Sequence, residues 1–98
     1  MIIFVEMKHS KRNIVFHELI GLRVRILEYP DPKLIGLSGK VLDETLKTFL
    51  IETRDKRIVR VLKEHGLFEF MLPDGEKAII RGAKILARPE DRLKNIIK

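Results

Sequence analysis

Two carboxylates stand side by side at Asp43-Glu44, in the stretch "GLSGKVLDETLKTFLIET" from Gly36 to Thr53, with Gly36 and Gly39 ahead of them. Paired carboxylates can do general acid–base work, and glycine loops can cradle a phosphate. Here neither pattern holds. Neighbours on a strand point to opposite faces, so the two acids do not converge, and Asp43 suits a turn in which it bonds its own backbone. A phosphate loop opens onto a helix N-terminus with a Lys-Ser/Thr pair, whereas Gly36 and Gly39 interrupt an alternating strand. In a strand, glycine marks a bend or a close backbone approach. The histidines, His9, His17 and His65, are scattered, and the only serines, Ser10 and Ser38, lack a nucleophile motif. With no cysteine in the chain, disulfides and thiolate zinc sites are excluded. We therefore expect no catalytic residue and no metal site.

Charge points elsewhere. The 98 residues carry 20 basic and 14 acidic side chains, a net charge of +6. The excess is densest in "RDKRIVRVLK", where Arg54, Lys56, Arg57, Arg60 and Lys63 face only Asp55. Arg23, Arg25 and Lys40, on neighbouring segments, widen the same candidate surface. Such a patch is the electrostatic footprint of a polyanion binder. Aromatics are scarce, with five Phe, one Tyr and no Trp, and Phe68 and Phe70 read as core. A binder without exposed stacking platforms favours the backbone and shape of structured RNA over single strands.

These residues must be held by short strands. "LRVRILEY" alternates with Val24 and Ile26 on one face and Arg23 and Arg25 on the other. "YPDPK" forbids regular structure and reads as a loop. "IGLSGKVLD" and "TFLIET" follow as the second and third strands, and "RIVRVL" as the fourth, closed by a turn at His65-Gly66. "LFEFML" puts Phe68, Phe70 and Leu72 on one face. "PDG" at 73–75 is a hairpin turn, with Gly75 at positive φ, and it leads to "EKAIIR" and a break at Gly82. Helices are expected at 13–20, capped by Gly21, and from Pro89 onward. Their apolar stripes suit either closure of the barrel mouth or docking of a partner protein. Residues 1–12 read as a flexible arm, and 13–98 as one small antiparallel β-barrel domain of five to six strands with terminal helices. No apolar run approaches the roughly 20 residues that cross a bilayer; a cytoplasmic protein without membrane contact is expected.

Four motifs in order, "HELIGL" (17–22), "GLSGKVLDET" (36–45), "FEFMLPDG" (68–75) and "RPEDRLK" (88–94), closely resemble the archaeal ribonuclease P protein component 1 family, counterpart of the eukaryotic 29-kilodalton subunit. The likeness runs from about Asn13 to Lys94; Leu46 departs from the basic or polar residue expected after "DET". It implies an Sm-like barrel within the ribonucleoprotein endonuclease that removes 5′ leaders from precursor tRNA. It also implies that the RNA subunit supplies the Mg-bound active site and that this chain binds no cofactor. The implied partners are ribonuclease P RNA and a small zinc-ribbon protein subunit, with precursor tRNA met indirectly. On this resemblance Ile14, Leu19, Leu93, Ile96 and Ile97 form or border the face for the protein partner. A ribosomal or transcription-associated RNA-binding barrel is the alternative, since glycine-hinged strand pairs occur there too.

Overall fold

A computed structural model describes residues 19–87. Six strands form one antiparallel sheet: β1 Arg23–Glu28, β2 Ser38–Glu44, β3 Thr48–Thr53, β4 Ile58–Leu62, β5 Leu67–Met71 and β6 Lys77–Arg81. Their order is β4-β3-β2-β1-β5-β6, so β1 lies at the centre between two meanders. Period-two patterning makes each strand half-buried. Val24 and Ile26, Phe49 and Ile51, and Phe68 and Phe70 all turn inward, and all belong to one core. Phe49 is its hinge: its ring meets Phe68 edge-on at 5.0 Å and Phe70 at 6.2 Å between centroids. Such offset contacts suit the ring quadrupoles. Because every strand buries its inner face in the same cluster, the sheet curls around it.

The curl stops short of a closed barrel, since among the described residues no ladder joins the edge strands β4 and β6. Contacts outside the ladders bridge the gap, among them the following. The Tyr29 hydroxyl, just beyond β1, accepts the Leu62 N–H of β4 at 3.2 Å. Gly82, just beyond β6, is pressed against the Lys63 carbonyl, which a Cβ would approach to 1.5 Å.

At Gly39 the close-approach reading holds: a Cβ would lie 2.2 Å from the Glu52 carbonyl oxygen, so only glycine lets β2 approach β3 this closely. Gly36 is different. It takes φ +88° outside any strand and donates its N–H to the Ile26 carbonyl at 2.8 Å. The second strand therefore starts at Ser38, not Ile35. The expected loop at 29–33 also contains a short 3-10 turn, Pro32–Leu34, because Asp31 caps it by accepting the Lys33 N–H and proline suits its first position. The 73–75 hairpin is as expected, with Gly75 at φ +89°. The expected arm and both terminal helices fall outside the described residues, apart from Leu19 and Ile20. Residues Gly82–Ile85 form a second 3-10 turn.

Candidate nucleic-acid interface

Outward-facing positions of the curled sheet fall into cross-strand rows. One row runs Lys40, Arg23, Met71, Lys77 across β2, β1, β5 and β6; the next runs Ser38, Arg25, Glu69, Ile79. Adjacent strands stand about 4.8 Å apart, so cations in one row are spaced on the scale of successive phosphates. Beyond Lys40 the row reaches Glu52 on β3. Arg23, Lys40, Glu52, Thr53, Arg54 and Lys56 line one polar depression of about 530 Å³. Arg54 and Arg57 border a second, of about 480 Å³, over Gly36 to Ser38. Arg23 and Arg25 border a third, of about 190 Å³, between β1 and β5.

The β3–β4 turn that carries Arg54 and Lys56 is built by its own side chains. Thr53 donates its hydroxyl to Asp55 and accepts the Arg57 N–H at 3.1 Å. Asp55 also accepts the Arg57 Nε at 3.0 Å. The Thr53 hydrogen bond above all, and then the charge of Arg57, hold the Asp55 carboxyl below its ordinary range. Lys56 sits at φ +70°, in the left-handed region that a lysine rarely adopts. This network fixes the turn and leaves Arg54 and Lys56 exposed.

Of the predicted cations, the structure thus brings Arg23, Lys40, Arg54 and Lys56 around one depression, with Arg25 and Arg57 beside it. Arg60 stands apart, exposed on β4, where its Nη1 donates to Thr48 Oγ1 at 3.2 Å.

Lys63 must be withdrawn from the RNA-facing set. Its side chain is fully buried, and its Nζ meets Glu44 Oε2 at 2.6 Å. The same ammonium donates to the carbonyls of Thr45 and Ile85 at 2.9 Å and of Ala87 at 3.1 Å. It shares the inward phase of Val61, so solvent never reaches it. Glu44, the second of the two adjacent carboxylates, is its buried counter-ion, and its other oxygen accepts the Leu19 N–H at 3.4 Å. Asp43 lies within β2 rather than in a turn, beside the register shift, and accepts the Glu44 N–H at 2.9 Å.

Leu19 is likewise corrected: it is completely buried in the core cluster and presents nothing to a partner. Ile14, Leu93, Ile96 and Ile97 lie outside the described residues. One cation was missed. Lys77 lines the third depression with Arg23 and Arg25 because β5 and β6 pack beside β1, an adjacency no local pattern reveals.

Among the described residues, no three His, Asp or Glu side chains gather to hold a metal ion. No described helix is long and apolar enough to cross a membrane.

The described residues form a small open antiparallel barrel whose outer face carries a basic depression. Comparison with known proteins places it more narrowly. The model of the ribonuclease P/MRP subunit p29 family matches residues 12–95, and the chain belongs to that family. It is 65% identical over 92 residues to "Ribonuclease P protein component 1" of Staphylothermus marinus, covering 94% of this chain and all of the relative. The protein of the same name from Desulfurococcus amylolyticus is 60% identical over 90 residues, covering 92% and 98%. Among solved structures it is similar to Mth11, described as a homologue of human RNase P protein Rpp29. That likeness has a TM-score of 0.58 and 46% identity, over 78% of this chain and 97% of the other.

Proposed function

We propose that this chain is the RNA-binding subunit of ribonuclease P, the ribonucleoprotein that removes 5′ leaders from precursor tRNA, and that it supports RNA folding rather than chemistry. The observation that carries the reading is the meeting of Arg23, Lys40, Arg54 and Lys56 around one open depression, in a member of the p29 family. Guanidinium forks bond phosphate oxygens bidentately, and lysines add mobile point charges. Neutralised phosphates release counterions, which gives affinity with little sequence preference. In this reading the RNA subunit carries the Mg ions and the reacting groups. A zinc-ribbon protein subunit docks on the terminal segments, and precursor tRNA is met only through the assembled particle. The compartment is the cytoplasm.

The test is RNA binding to ribonuclease P RNA across a salt series. Arg23→Ala, Lys40→Ala, Arg54→Ala and Lys56→Ala should each lower the log–log salt slope by about 0.7–0.9 for every phosphate left without its cation. Four folded variants with the wild-type slope would overturn the assignment. Cleavage of precursor tRNA by rigorously RNA-free protein would overturn the division of labour.

A further inference from the structure

The depression between β1, β5 and β6 does not suit phosphate alone. Its charged walls are Arg23, Arg25 and Lys77, yet Glu69 stands among them. Glu52 in the larger depression stands against four cations, Glu69 here against three; a carboxylate brings hydrogen-bond acceptors to the site. Glu69, whose side chain is 17% exposed, is met at one oxygen only: its Oε1 lies 3.4 Å from Nη2 of Arg25, whose side chain is half exposed. The second oxygen, Oε2, accepts nothing from the described residues. Both oxygens thus retain accepting capacity toward a ligand that brings donors, and in RNA those donors are on base edges.

The remaining walls agree. Met71, 43% exposed, sits between Arg23 and Lys77 in the cross-strand row. A thioether makes favourable contacts with aromatic rings, and guanidinium planes stack on bases. Two rows two residues apart along the strands, spanning β1 to β6, bound a cell of about 7 by 10 Å. At about 190 Å³ it is smaller than the roughly 300–1,000 Å³ of pockets that enclose drug-sized ligands. It suits one flat heterocycle. Lys77 on one side, and Arg23 with the larger basic depression on the other, are placed for the flanking phosphates.

We propose that this cell is a seat for one unpaired nucleobase extruded from structured RNA, read by Glu69 with a preference for guanine. The proposal rests on the RNA-binding reading above and adds a base-reading site to it. Guanine alone offers two parallel donors, N1–H and the exocyclic amine, to the two carboxylate oxygens. Adenine and cytosine offer an amine beside an acceptor, which the carboxylate opposes, and uracil offers a single N–H.

Two measurements on the full chain test it. In the first, protein labelled with 13C at the methionine methyls is titrated separately with GMP, AMP, CMP and UMP. Met71 should shift saturably, most tightly with GMP and least with UMP. An unmoved Met71 methyl, or one response common to all four nucleotides, overturns the proposal. In the second, RNA hairpins with a single G, A, C or U bulge are compared with an unbulged hairpin. Wild type should favour the G bulge by about tenfold, the scale of one good bidentate base contact. Glu69→Gln replaces two acceptors by an acceptor and a donor, so the preference should move from G to A. Glu69 is on the outer face, so this variant should fold; Glu69→Ala, which should level the four bulges, is the second variant. Unchanged G preference in both sinks the role of Glu69.

Arg54→Ala with Lys56→Ala should weaken every hairpin equally and keep the ratio. Failure of the RNA-binding reading has a separate signature: no hairpin binds in low salt, whatever the mononucleotide titration gives.

Discussion

Replacing Lys63 by Met separates a buried structural cation from a surface one. Lys63→Met keeps most of the apolar stem but removes the ammonium from Glu44 and from the carbonyls of Thr45, Ile85 and Ala87. Glu44 would then be a buried carboxylate that keeps the Leu19 N–H at 3.4 Å but no longer faces the ammonium. Removing one partner of a buried pair costs about 3–5 kcal/mol, because the other charge stays desolvated. With a urea m-value of about 1–3 kcal/mol/M, the midpoint should fall by more than about 1 M. Adding Glu44→Gln to Lys63→Met should recover part of the loss, since the stranded charge is gone. Urea unfolding followed by circular dichroism measures all three variants against wild type. Under conditions where Lys63→Met remains folded, its RNA salt slope should equal that of wild type. A loss under about 1 kcal/mol, below the cost of stranding a buried charge, would refute the reasoning, as would a slope reduced like that of Arg54→Ala.

Other outcomes follow from single interactions. Gly39→Ala forces a Cβ to within 2.2 Å of the Glu52 carbonyl oxygen; the rigid ladder makes this overpacking cost at least about 1–3 kcal/mol, read as a lower urea midpoint. Arg60→Ala should leave the RNA salt slope unchanged, because Arg60 bonds Thr48 away from the basic depression. Asp55 is a depressed carboxylate, so its contribution is complete above the ordinary Asp pKa of about 3.9 and fades as pH falls through the lower folded value. The difference in urea midpoint between wild type and Asp55→Asn should therefore shrink from pH 5 to pH 2; a constant difference would count against the Thr53–Asp55–Arg57 network.

What the sequence disclosed was what local periodicity encodes. Val24 and Ile26, and Phe68, Phe70 and Leu72, were legible as inward faces because strands alternate, and Pro73 to Gly75 because a hairpin turn has its own chemistry. Arg23, Lys40, Arg54 and Lys56 could be named as cations, but their meeting depends on β1 lying beside β2 and on the β3–β4 turn reaching them. Lys77 was invisible for the same reason: its neighbours are set by the pairing of β1 with β5. Lys63 is the instructive miss. Charge counting put it on the surface, yet in "RIVRVLK" it follows Val59 and Val61 at period two, the phase of the core. A lysine in that phase signals a buried cation in search of a carboxylate. Glu44 escaped notice because the register shift in β2 between Val41 and Asp43 breaks the alternation that would have turned it inward.

The Lys63–Glu44 pair also has a topological meaning. Through Glu44 it holds the Leu19 N–H, ahead of β1, and through Lys63 the Ala87 carbonyl, beyond β6, so one ion pair closes a ring from the segment before the first strand to the segment after the last. Small proteins often close such a ring with a disulfide, restricting the open chain to fewer states. Here, in a chain without cysteine, the closure is ionic. It is indifferent to thiols and oxidants and yields instead to whatever neutralises one of its two charges.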